Sequence, residues 1–152
     1  MNLTGFLRLD GTKYPDKVGY VFEDIPYTYQ EVMLNSAKLA AYLRGAGIRE
    51  GDKVCTLFYN GIECAYAYFG ALMLGAVVVP VNFRFTGAEI SYVANHSDAK
   101  AFLYGEEFQQ IIAEIKTQLP HIEWSLLLNK KNGIFAAAGQ YEDFTELLEN
   151  GP

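Results

Sequence analysis

Cysteine is scarce: only Cys55 and Cys64 occur in 152 residues. Their spacing fits neither a C-x-x-C redox pair nor a zinc knuckle. A chain of this length buries roughly 70% of the surface its unfolded form exposes, so it needs no disulfide staples, and a reducing, cytoplasmic setting is expected. Basic residues are also few, 12 against 18 acidic, for a net charge of −6. They stand singly apart from Lys130-Lys131. A nucleic-acid binder needs clustered Lys and Arg to displace counterions from phosphates, so that class of partner is excluded. The two histidines, His96 and His121, have no His, Cys or carboxylate four residues on and read as surface or capping groups rather than metal ligands. The first seventeen residues carry Arg8, Asp10, Lys13, Asp16 and Lys17 and leave no apolar stretch for a signal peptide.

What the sequence has is apolar mass. Hydrophobic residues make up 51% of it, and Leu, Ile, Val and Phe supply 44 positions, well above the roughly one-fifth below which chains stay disordered. One compact domain over 1–152 is expected. Residues 64–83 run without a charge, and ~20 such residues can span a bilayer. Gly70, Gly75, Pro80, Asn82, Tyr66 and Tyr68 interrupt that run. They suit an apolar helix over 62–74, stopped by Gly75, followed by a short buried strand, Val77-Val78-Val79. No transmembrane span is expected.

The remaining elements follow from local signals. Residues 18–22 and 25–27 are β-formers flanking Glu23-Asp24, the pattern of a hairpin. Thr28-Tyr29-Gln30-Glu31 fits a capping box, and Val32, Ser36, Leu39, Ala40 and Leu43 form one stripe of a 3.6-residue period. Strands are expected over 54–58, 101–104 and 124–128, with helices opening at a second capping box, Thr86-Gly87-Ala88-Glu89, and around Phe108, Ile111, Ile112 and Ile115. A polar loop over 129–133, the small tract Ala136-Ala137-Ala138-Gly139 and a short amphipathic helix over 141–148 close the chain. Alternating strands and helices, with strands apolar on both faces, predict an α/β fold: a mostly parallel sheet with helices on both sides.

Catalytic signatures are sparse. Gly70 to Gly75 has G-x-x-x-x-G spacing, but Ala76 and Val77 stand where a P-loop needs Lys and Ser or Thr. No G-x-G-x-x-G lies between a strand and a helix. Cys55 falls in a strand and Cys64 at the head of an apolar helix, where thiols behave as small hydrophobes. The adjacent acids Glu23-Asp24 and Glu106-Glu107 suit turns and helix starts rather than acid–base chemistry.

Taken together, YPDKVGYVFED, PYTYQEV, SAKLAAYL, GIREGDKV and YFGALMLGAVVVPVNFRFTGAEISYV, from about Leu7 to Tyr104, resemble the opening of the AMP-forming acyl-CoA synthetases, the adenylate-forming enzymes. The resemblance implies the first portion of that family's large N-terminal domain. It further implies a fatty-acid or related carboxylate–CoA ligase that uses ATP, Mg²⁺ and CoA to make an acyl-adenylate and then a thioester. The family's phosphate loop ending in Pro-Lys-Gly, its acidic adenylate motif, its hinge and its late lysine have no counterpart in these residues. The chain alone is therefore expected to be inactive and to partner the rest of its parent, holding no cofactor itself. Within PVNFR, Arg84 stands where some family members place an arginine near the CoA nucleotide phosphates, a role its forked donors suit; the alternative is a solvated turn arginine. Asn82 is expected to hold the turn by its side chain, and Gly70, Gly75 and Pro80 to be architectural. A stand-alone, non-catalytic interaction module of the same fold is the competing function. An apolar face left uncovered predicts a homodimer or larger species.

Overall fold

The computed structural model describes residues 3–128 and the strand at 135–137. A first helix, α1 (Leu3–Lys13), leads into a hairpin of β1 (Val18–Phe22) and β2 (Ile25–Thr28). The two-residue turn between them places Glu23 and Asp24 at φ 50° and 61°, the left-handed pair that matches the twist of a tight hairpin. Helix α2 (Tyr29–Gly45) follows, then β3 (Lys53–Leu57), α3 (Ile62–Leu74), β4 (Val77–Pro80), α4 (Gly87–His96), β5 (Ala101–Gly105), α5 (Gln109–Ile115), β6 (Trp124–Leu128) and β7 (Phe135–Ala137). Short 3-10 turns, Glu106–Phe108 and Lys116–Gln118, flank α5.

Both capping boxes form. Glu31 N donates to Thr28 Oγ1 at 3.2 Å while Thr28 N donates to Glu31 Oε2 at 2.7 Å; Thr86 and Glu89 repeat the exchange. Each box satisfies two amides that a helix start otherwise leaves unpaired. The stripe Val32, Ser36, Leu39, Ala40 and Leu43 is buried throughout. At the other end of α3, Gly75 takes φ 83°, a left-handed C-cap that a side chain would strain.

The main sheet has the order β4-β3-β5-β6-β7. Its first four strands are mutually parallel and β7 returns antiparallel to β6. Alternation along the strands divides the core in two. Val54, Ala101, Leu103, Leu126 and Leu128 face Leu39, Leu43, Ala67 and Ala71 of α2 and α3. Cys55, Leu57, Phe102 and Tyr104 face Ile90 and Ala94 of α4 and Ile112 and Ile115 of α5. Helices thus cover both faces, as parallel sheets require. A third cluster, Leu7, Val32 and Ile62, joins α1 to α2 and α3. No helix among the described residues is long and apolar enough to cross a membrane.

One expectation needs correction. Val77-Val78-Val79 is not a buried strand: β4 is the sheet's edge, and Val77 is 48% exposed. Helix α1 and strand β7, which takes in part of the small tract at 136–139, have no forecast in the sequence patterns. The loop at 129–133 and the helix expected at 141–148 lie outside the described residues.

Candidate functional site

Parallel α/β sheets bind ligands at the carboxyl ends of their strands, where consecutive connections depart to opposite sides. Here β3 is followed by α3 on one face, and its other neighbour, β5, by α5 on the opposite face. The switch point therefore lies between the ends of β3 and β5. A crevice of about 510 Å³ opens there, lined on one side by the loop Phe58, Tyr59, Asn60 and Gly61 and on the other by Gly105, Glu106 and Glu107. The hairpin closes it with Phe22 and Glu23, and Glu63 reaches it from the first turn of α3.

Four carboxylates thus line one crevice, and among the described residues no lysine or arginine lines it. Glu63 is buried, whereas Glu23, Glu106 and Glu107 are exposed. Tyr59 N donates to Glu107 Oε1 at 3.5 Å, a long contact that spans the crevice mouth. Among the described residues no group of three or more His, Cys, Asp or Glu is placed to hold a metal ion. Like charges around a concave site repel phosphate, so these walls are unsuited to cradling a triphosphate by themselves. The acid pairs do occupy a turn and a 3-10 start, as their adjacency suggests. Their sharing of one crevice depends on the crossover order and has no sequence signal.

Arg84 stands outside this crevice, just past the end of β4. Its backbone N donates to Asn82 Oδ1 at 2.9 Å, so Asn82 holds the turn as expected. The guanidinium carbon lies 5.5 Å from the centroid of the Phe83 ring, within cation–π range, and the side chain is exposed. Phe83 in turn meets Tyr59 at 5.1 Å between ring centroids, and Tyr59 meets Phe108 at 5.0 Å. An aromatic chain therefore runs from the turn after β4 across to the loops that line the crevice.

The thiols stay inert. Burial pushes the Cys55 thiol up to about 11, and burial followed by the nearby Glu63 carboxylate raises Cys64, so neither is a thiolate near neutral pH. His96 stacks on Tyr92 with ring centroids 5.3 Å apart, and both His96 and His121 are exposed.

Comparison with known proteins decides the family. Residues 7–146 match the family described as AMP-binding enzyme. The chain belongs to that family. The 4-hydroxybutyrate–CoA ligase 2 of Metallosphaera sedula is 33% identical over 114 residues, covering 75% of this chain and 21% of that protein. The long-chain-fatty-acid–CoA ligase FadD13 of Mycobacterium tuberculosis is 33% identical over 119 residues, covering 77% and 24%. Among solved structures, the N-terminal domain of FACL13 from Mycobacterium tuberculosis superposes with a TM-score of 0.77 at 29% identity, over 85% of this chain and 34% of that one. A long-chain-fatty-acid CoA ligase homologue from Rhodopseudomonas palustris superposes with a TM-score of 0.83 over the whole chain and 37% of its own; at 21% identity that likeness bears on the fold alone. This AMP-binding family chain thus spans about a fifth to a quarter of the length of these curated relatives.

Proposed function

We propose that residues 1–152 form one unit, the amino-terminal part of the large domain of a carboxylate–CoA ligase of the fatty-acid type acting in the cytoplasm. The observation that carries this reading is the family match over 7–146 together with relatives named as CoA ligases at 33% identity. The complete enzyme would join a carboxylic acid to ATP as an acyl-adenylate, releasing pyrophosphate, and pass the acyl group to CoA, releasing AMP. When bound, Mg²⁺ would neutralise charge on the ATP phosphates. Among the described residues no group of three or more His, Cys, Asp or Glu is placed to hold it.

The part these residues play is narrower. They supply the four-stranded parallel wall and the switch-point crevice. The four glutamates along these walls disfavour anions, so the ATP phosphates would be held by segments other than these. Among the described residues, a cation at this end of the sheet is Arg84, which is exposed and has no carboxylate partner there. It suits a phosphate of the CoA nucleotide, where forked N–H donors and a fixed charge both contribute. Apolar side chains on α1 and the hairpin, Phe6 at 54% and Val21 at 65% exposure among them, suit cover by the rest of the enzyme, or by a second copy when the chain is alone.

Carboxylate-dependent exchange of pyrophosphate into ATP tests the reading. Exchange by the complete protein, with none by the 152-residue chain, is the expected result. Exchange by neither, across a panel of aliphatic and aromatic acids, would favour the competing non-catalytic module.

A further inference from the structure

Tyr59 joins two features that the proposed function leaves separate. It follows β3 and lines the switch-point crevice, yet its ring also contacts the platform on which Arg84 rests. Its ring plane crosses that of Phe83 at 69° with centroids 5.1 Å apart. On the other side Phe108, buried at the start of α5, lies 5.0 Å away. Tyr59 is therefore braced against a core residue while it abuts a ring that is itself 42% exposed. Its backbone is tied to the opposite lip of the crevice through Glu107.

The consequence for Arg84 is mechanical. The Asn82 side chain secures only the backbone of this turn. The guanidinium lies over the Phe83 face, a contact that narrows its rotamers, and an exposed arginine loses affinity in proportion to the freedom an anion must remove. Removing Tyr59 would take away the ring that abuts Phe83, and with it a constraint on the surface on which Arg84 rests.

We infer that Tyr59 is a positioning residue for the Arg84 anion site, acting through Phe83 and without itself touching the anion. The inference rests on the reading of Arg84 as a ligand to a CoA phosphate, and it adds that the affinity of that contact is set from the far side of the aromatic chain. The ring carries the effect and the phenol oxygen does not, so Phe in place of Tyr preserves it.

The test uses the complete ligase and the KM for CoA in thioester formation, with Tyr59→Ala, Tyr59→Phe, Arg84→Ala and the double variant Tyr59→Ala/Arg84→Ala. Tyr59→Ala is expected to raise KM for CoA by about two- to tenfold, the range an edge-type ring contact supports. The change should appear in KM rather than kcat, and Tyr59→Phe should restore it. The double variant should bind CoA no worse than Arg84→Ala alone, since both changes remove the same contact. If Arg84→Ala leaves KM unchanged, the Arg84 reading fails and this inference falls with it. If Arg84→Ala raises KM while Tyr59→Ala has no effect, adds independently to it, or is not rescued by Phe, the positioning role alone is overturned.

Discussion

Gly70 of α3 lies directly against Leu39 of α2: a Cβ placed on Gly70 would come within 2.9 Å of the Cβ, Cγ and Cδ2 atoms of Leu39. Leu39 is fully buried and has nowhere to retreat, so this glycine sets how closely the two helices approach. Alanine at position 70 gains up to about 1 kcal/mol of helix propensity but incurs overpacking of about 1–3 kcal/mol. Gly70→Ala should therefore lower the urea midpoint, by about 1 kcal/mol in net stability. A raised midpoint would show that α2 and α3 can separate freely.

Ala71, one position on, is fully buried against the sheet. Leucine there should destabilise by about 1–3 kcal/mol, whereas a lipid-facing helix would accept the added bulk. Denaturant melts without detergent read the sign directly.

The first capping box gives a local prediction. Thr28→Ala removes the hydroxyl that accepts from Glu31 N and should cost about 1 kcal/mol, read as a lower melting temperature.

An ion pair joins the residue ahead of β3 to the residue ahead of β5: Lys100 Nζ lies 2.7 Å from Asp52 Oδ1. Hydrogen bonds from Lys100 and from the Arg49 backbone hold the Asp52 carboxyl below its ordinary 3.8, and the same pairing raises Lys100 above 10.5. A depressed carboxylate stabilises above its unfolded value and loses that contribution as pH falls through its folded value; a raised ammonium stabilises below its unfolded value and loses it as pH rises through its folded one. The melting-temperature difference between the native chain and Asp52→Asn should be present between about pH 4 and 10 and shrink at both extremes. A difference that grew below pH 3.8 would contradict the assignment.

The 152-residue chain alone should self-associate through its uncovered apolar residues. Light scattering is expected to show a dimer or larger species, reduced by Val21→Lys. A monomer at high concentration that binds no apolar dye would count against this.

Much of the fold was legible because it was locally encoded. All five stripe residues of α2 are buried, both capping boxes close, and α3 runs over the span that Gly75 was expected to end. What local signals missed was decided by tertiary contact. Helix α1 contains Gly5 and Gly11, poor helix formers, yet Gly11 lies so near Met33 that a Cβ there would approach its sulfur to 2.8 Å; packing on α2 holds it. The triple valine of β4 has the composition of a central strand but sits at the edge, because sheet order follows the crossovers and not the hydropathy of one segment. Glu63 reads as the lone polar residue on an apolar helix, whereas in the fold it is buried beside the crevice. Glu23, Glu106 and Glu107 read as turn and helix-start acids and are so. Their convergence with Glu63 required knowing that β3 and β5 are neighbours.

Product analysis of the complete protein tests the central claim most directly. With ATP, Mg²⁺, CoA and a panel of carboxylic acids, the account predicts AMP and acyl-CoA in equal amounts, dependent on an acid of the panel. Folded protein that released ADP instead, or formed no thioester with any acid, would contradict it.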